Sequence, residues 1–285
     1  MAELPRTLAG RLSVLACPSC GQGLSEQEAA LLCDRCETTY PVKNGKVYFM
    51  QPPVHSTAAS DIKHWLRLSL GARYNRAVRV FGPGFSINKR KLIISQIDPA
   101  KKIAVDLGSG PERIHPDIVT LDLFDYPEVD IVCDLQALPF QADSVDAFVT
   151  TSVLEHLDDV PGLIDRILYC TRPGGIGIHS FPFLFPFHES PCDFVRYTHM
   201  GAAALFKKWR MRRLFNAAGP VTVFNTVITE FISTLLSFGA GRVKEALSLG
   251  IGLVLFPLKY LDGFFVNNPR FFSVSAIFCV IVEKD

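Results

Sequence analysis

The sequence predicts an α/β chain. Its main body is a doubly wound, mostly parallel sheet of seven strands, preceded by a small cysteine-rich module and interrupted late by an apolar helical hairpin. Three observations carry that prediction. From Ile103 onward, short apolar runs (IAVDL, DIVTLD, VDIVCD, VDAFVTT and GIGIHSF) alternate with helix-like segments, the pattern of parallel strands joined by crossovers. Of eight cysteines, four fall in two tight pairs near the start. The last quarter holds two apolar helical segments, roughly 230–238 and 242–261, separated by Gly239-Ala240-Gly241.

The pairs CPSC and CDRC place Cys17, Cys20, Cys33 and Cys36 in a C-x2-C-x12-C-x2-C pattern. Each pair fits a tight turn with both sulfurs facing inward, and four thiolates complete a tetrahedron around zinc. Gly21 supplies the permissive backbone behind the first knuckle. TTYPVKNGKVYFM then reads as a hairpin about Asn44-Gly45. Residues 1–52 are therefore expected to form a zinc ribbon. Four protein ligands leave no open position, so the metal is structural. The proline pair and small residues of 53–60 read as a linker, and 61–285 as the main domain, with the apolar insertion at about 230–262.

Charge is uneven although the net value is only +1: residues 61–102 carry ten Lys/Arg against two Asp, and 103–165 carry fourteen Asp/Glu against one Arg. Apolar residues at helical spacing within 62–78 predict a helix whose other face is basic. MAELPRTLAG lacks an apolar run behind a basic start, which predicts a cytoplasmic, reducing setting without disulfides.

In a parallel α/β sheet, ligands bind at the carboxyl ends of the strands. Those ends carry Asp106 with Gly108 and Gly110, then Asp122, Asp134 and Thr151. A glycine pair lets backbone amides approach a ligand, and an acid ending the second strand can accept two hydrogen bonds from ribose hydroxyls. A dinucleotide fingerprint is excluded, because Arg113 holds the third glycine position and Pro111 and Pro116 leave no room for the helix that would meet a pyrophosphate. No Lys-Ser/Thr follows the glycines, so a Walker loop is excluded too.

VDLGSG, the acid of TLDL, CDLQALPFQADSVDAFVTTSVLEHLDD and RPGG occur in an order and spacing that resembles the class I S-adenosylmethionine-dependent methyltransferases of the bacterial small-molecule type, over 103–218. The resemblance implies a Rossmann-like sheet. It further implies that Asp106, Gly108 and Gly110 lie against the methionyl part of S-adenosylmethionine, Asp122 holds the ribose, Asp134 and Leu135 meet the adenine, and Thr151 lines the floor beside the sulfonium. The chain departs from that pattern in one respect: Glu112 replaces the family's usual third glycine, and the helix after the loop looks deleted. Arg113 or His115 is then the expected partner of the methionine carboxylate.

After the fifth strand, HESPCDFVRYT resembles a segment of bacterial methyltransferases that act on glycans and related metabolites. His188 is a candidate base, with Asp193, Arg196 and Tyr197 orienting the acceptor. The competing reading makes Asp193 and Arg196 a structural ion pair and His156 a satisfied helix-end residue. VTVFNT and VSAIFCVIVE are the expected sixth and seventh strands, paired antiparallel. The hairpin between them reads as a lid, a homodimer surface, a buried hairpin, or an interfacial element that receives a lipid-linked acceptor at the inner face of a membrane, where Lys89–Lys91 and 207–213 would meet anionic lipid.

Three functions follow. The first is O-methylation of a small-molecule, glycan or lipid-linked acceptor. The second is RNA methylation, since a zinc ribbon ahead of this domain also resembles bacterial ribosomal-RNA guanine methyltransferases and the zinc-binding activator of tRNA methyltransferases. Against nucleic acid, aromatic residues do not interleave with the basic run as a stacking platform requires. The third is a non-catalytic cofactor-binding interaction module.

Overall fold

The computed structural model describes residues 4–53, 77, 80–85, 87–188 and 192–285. The helix expected within 62–78, apart from Ala77, and the linker at 54–60 lie outside the described residues. Eleven strands form one sheet. The ribbon contributes β1 (Ser25–Gln27), β2 (Ala30–Cys33), β3 (Thr38–Lys43) and β4 (Lys46–Tyr48), and the main body β5 (Ala104–Leu107), β6 (Val119–Asp122), β7 (Ile131–Val132), β8 (Val145–Thr151), β9 (Thr171–Pro182), β10 (Arg210–Ala218) and β11 (Ile277–Glu283). Their order is β1-β2-β3-β4-β7-β6-β5-β8-β9-β11-β10.

Strands β4 through β9 run parallel to their neighbours across the centre, and β11 is inserted antiparallel between β9 and β10. The main body has seven strands, six of them where the sequence places them, and the four ribbon strands extend the sheet beyond them. Alternation sorts the side chains. Ala104, Ala147, Val149, Ile176 and Ile178 face helix α1 (Lys89–Gln96) through Ile93 and Ile97, whereas Val105, Leu107, Phe148, Phe278 and Val280 face helix α2 (Val160–Cys170) through Leu163 and Ile167. α2 starts where Asp159 caps the amide of Gly162 with Pro161 in its first turn.

No helix follows β5 among the described residues. The segment from Gly108 to Ile118 is a run of turns. The two prolines noted in the sequence explain this, since each removes an amide and fixes φ.

The ribbon is docked, not tethered. β4 adds in parallel to β7, with Val47 N donating to Asp130 O at 2.9 Å and Phe49 N to Val132 O at 2.9 Å. Leu8, Leu15, Leu31 and Val47 are fully buried in the same cluster as Leu107 and Leu121.

The expected sixth strand is displaced. After the short helix α3 (His199–Leu205), VTVFNT lies within helix α4 (Pro220–Leu236), and the strand is formed instead by RMRRLFNAA. β-branched residues favoured the strand reading, but tertiary context overrides local propensity. Gly219-Pro220 opens the helix, and Asp262, fully buried and 40 residues away, accepts from Gly219 N at 3.2 Å, Val221 N at 2.9 Å, Thr222 N at 2.9 Å and Thr222 Oγ1 at 2.6 Å. Helix α5 (Gly241–Leu255) and a 3-10 stretch (Phe256–Phe264) complete the hairpin, which therefore begins about ten residues earlier than expected.

Candidate functional site

Four thiols converge in the ribbon. Cys17 Sγ lies 4.0 Å from Cys36 Sγ and Cys20 Sγ 3.5 Å from Cys33 Sγ, with all four within 4.8 Å of one another. A tetrahedral zinc with bonds of about 2.3 Å places its sulfurs about 3.8 Å apart, so the set fits. Gly21, at φ +74°, lets its amide turn back to Cys17 O at 2.8 Å. Tyr40 Oη lies 3.1 Å from Cys17 Sγ and is placed to donate to a thiolate.

At the carboxyl ends of β5 and β8 a cleft of about 660 Å³ opens, bordered by Asp106, Gly108, Ser109, Glu112, Arg113 and Thr151 and, from α1 and its approach, by Asn88, Lys89 and Arg90. Its size suits a nucleoside-type ligand. Gly108 and Gly110 both adopt φ +65°. A side chain at Gly108 would collide with Val153, its Cβ falling 2.6 Å from Cγ2, so this position requires glycine twice over. Asp106 is 2% exposed, and burial first, then repulsion from Asp122, lifts its carboxyl to about 7 against the pull of Lys89 and Arg113.

Asp122 holds the loop closed: Oδ2 accepts from Gly110 N at 2.8 Å and Oδ1 from Phe124 N at 3.0 Å. At the end of β7, Asp134 is exposed, with Oδ1 accepting from Gln136 N at 2.9 Å, and Leu135 is buried beneath it. The sequence-derived cofactor residues thus line one edge of the sheet.

Arg113, the expected carboxylate partner, borders the cleft but is engaged elsewhere. All five of its donors are used inside the protein, on Asp130 (2.9 and 2.7 Å), Ile118 O (2.9 Å), Glu128 O (2.8 Å) and the Glu128 carboxylate (3.3 Å). His115 Nδ1 is also engaged, accepting from Asp117 N at 3.3 Å. Lys89 and Arg90 border the cleft as well as Arg113. The sequence singled out Lys89–Lys91, but for anionic lipid and not for this cleft.

The segment after β9 folds back over the end of β8, with Phe194 N donating to Glu155 O at 2.7 Å and His156 Nδ1 bonded to Cys192 O. Asp193 accepts from His188 N at 2.9 Å and pairs with Arg196 through both oxygens, which holds its carboxyl down at about 2. The ion pair foreseen for Asp193 and Arg196 is real, but it clamps an irregular loop and not a helix. Tyr197 packs edge-on to Phe181 at 5.9 Å. Sequence reading missed Glu155, which is 1% exposed with both carboxylate oxygens lacking a partner among the described residues.

The main-body strands in this order, with an acid-and-glycine cleft at their carboxyl edge and a four-thiol ribbon on their flank, have the arrangement of a class I S-adenosylmethionine-dependent methyltransferase domain beside a zinc-binding module. Comparison agrees: residues 105–178 match the methyltransferase domain family, and residues 12–45 the Trm112p-like protein family. No curated protein matches the chain.

Among solved structures, phosphoethanolamine N-methyltransferase 2 of Haemonchus contortus with S-adenosyl-L-methionine is 14% identical at a TM-score of 0.44, covering 80% of this chain and 60% of that one. A complex of the Haloferax volcanii Trm112 methyltransferase activator with a methyltransferase is 14% identical at 0.43, covering 78% and 97%. A methyltransferase from Mesorhizobium loti is 13% identical at 0.40, covering 70% and 98%.

Proposed function

We propose that this methyltransferase acts on an oxygen of a lipid-linked or otherwise membrane-presented acceptor, a glycan or small polar headgroup, at the cytoplasmic face of a membrane. The observation that supports the acceptor class is the inverted polarity of α4. It buries Thr222, Asn225, Thr226, Thr229 and Ser233 against the protein, and turns Phe224, Val227, Phe231 and Leu235 outward. A surface helix of a soluble domain has the opposite arrangement. The outward face continues through Phe238, 93% exposed, and Phe264, 80% exposed, and an open apolar groove of about 490 Å³ runs between α4 and α5. By length and composition the helical stretch Gly241–Phe264 could cross a membrane, with 17% of its window buried. The sequence alone offered no charge-free run that long.

Asp106, Gly108 and Gly110 would bind the methionyl part, Asp122 the ribose, Asp134 and Leu135 the adenine, and Thr151 would face the sulfonium. The bound cofactor supplies the electrophilic methyl group. The chain's own contribution is proximity and proton handling. His188 lies beside the buried Glu155 and is held by Asp193, itself fixed by Arg196, and Tyr197 borders the same loop. His188 Nε2 is the candidate proton acceptor.

Titration calorimetry with S-adenosylmethionine and S-adenosylhomocysteine tests the reading. Micromolar binding is expected, weakened at least ~10-fold in Asp122→Ala, which loses charge-assisted hydrogen bonds. A wild-type protein that binds neither would end it. Affinity is also expected to depend on pH. The cofactor is cationic and prefers ionised Asp106, whose carboxyl sits at about 7, so binding should strengthen several-fold from pH 6 to 8 and level off above. In Asp106→Asn the slope should vanish.

RNA is the second reading, favoured by the Trm112p-like match. The basic patch at 207–213 offers it little, since Lys208 pairs with Asp165, and Arg210 and Arg212 with Glu283; most of the basic run within 61–79 lies outside the described residues. Steeply salt-dependent RNA binding would restore it.

A further inference from the structure

Glu155, His156 and His188 bring one carboxylate and two imidazoles together, their nearest donor atoms all within 4.8 Å of one another. Both imidazoles are oriented by acceptors at Nδ1. His156 Nδ1 meets the carbonyl of Cys192, and His188 Nδ1 meets Pro186 O at 3.3 Å with Asp193 Oδ2 at 3.6 Å. A carbonyl can only accept, so each ring carries a proton on Nδ1, and in the neutral ring Nε2 keeps its lone pair for a ligand.

Both Nε2 atoms lie near the same carboxylate oxygen. His188 Nε2 is 3.8 Å and His156 Nε2 4.0 Å from Glu155 Oε1. These separations are too long for hydrogen bonds. Three potential ligand atoms therefore cluster at the base of the loop that covers the end of β8, and neither Glu155 oxygen has a hydrogen-bond partner among the described residues. The Asp193–Arg196 pair beside them is neutral as a unit, and Lys89 acts on Glu155 only at a distance. Two metal bonds of about 2.1 Å span at most about 4.2 Å, so both separations fit a shared cation.

We propose that Glu155, His156 and His188 bind a divalent first-row transition metal ion, separate from the ribbon's zinc. Two imidazoles and one carboxylate suit Mn²⁺ through Zn²⁺ and leave positions open for oxygen ligands. The carbonyls of Cys192 and Pro186 orient the ligands, as outer partners do at built metal sites. That the open positions receive a hydroxyl or carboxylate oxygen of the acceptor rests on the methyltransferase reading; the cation site itself does not. With the ion bound, His188 is a ligand and no longer the proton acceptor.

The test titrates zinc-loaded protein with MnCl₂ and follows free Mn²⁺ by electron paramagnetic resonance, since Mn²⁺ has little affinity for the four-thiol site. One bound equivalent per chain is expected, with affinity at least ~10-fold weaker in Glu155→Gln and in His188→Ala. Glu155→Gln keeps the shape and removes a buried carboxylate, so its melting temperature should be unchanged or higher, which separates loss of the site from loss of the fold.

Wild-type protein that binds no Mn²⁺, or Glu155→Gln that binds it as tightly as wild type, would overturn the proposal. S-adenosylhomocysteine titrated in parallel keeps the two readings apart. Cofactor binding without Mn²⁺ sinks the cation site alone, and Mn²⁺ binding without cofactor supports the site while sinking the methyltransferase reading.

Discussion

Stripping the zinc with a chelator, or replacing Cys33→Ser, is expected to lower the melting temperature by at least ~10 °C and to weaken S-adenosylmethionine binding. Structural zinc contributes about 10–16 kcal/mol to folding in isolated zinc-finger peptides. Here the ribbon is also part of the main core: Leu8, Leu15, Leu31 and Val47 are fully buried in the cluster that contains Leu107 and Leu121. Without the metal, β4 loses the turn geometry that presents it, and β7 becomes an unpaired edge. β7 is only two residues long and leads directly into Asp134 and Leu135, the residues assigned to the adenine. Losing its neighbour should therefore reach the cofactor cleft. Calorimetric melting with and without chelator checks this. An unchanged melting temperature would mean that the ribbon's strand pairing holds without the metal.

The second large effect concerns the hairpin. The protein is expected to float with liposomes, and Phe231→Asp combined with Phe238→Asp to abolish flotation. Burying a phenylalanine is worth about 1.5–3 kcal/mol, so losing two, and adding two charges, lowers partitioning by more than ~100-fold. The sequence suggested that 207–213 would direct the protein to anionic lipid, but Lys208, Arg210 and Arg212 are paired internally, and Arg213 donates to Asn267 and stacks on Phe215. Apolar contact should dominate, and flotation should persist on zwitterionic liposomes and at high salt. Recovery of wild-type protein only in the unbound fraction would exclude a lipid partner and leave a second copy of this chain as the occupant of the face.

The thiol ribbon, the runs that form β5 to β9 and β11, and the acid-and-glycine edge were legible in the sequence because each depends on local chemistry. Cysteine spacing sets a tetrahedron, and a glycine sits where φ must be positive. Strand periodicity failed at VTVFNT, where Asp262, 40 residues on, caps a helix that local preference would have made a strand. Arg113 looked free in the sequence and proved fully engaged, because Asp130 and Glu128 reach it only through the fold.

What the sequence by itself determined is the class of protein and its zinc, since both are written in short-range spacing. Tertiary structure alone decided that the ribbon shares the sheet and core, that α4 turns its phenylalanines outward, and that Glu155 meets His156 and His188. Each of these joins residues distant in the chain, or assigns a helix face to solvent, and spacing along one segment cannot encode either.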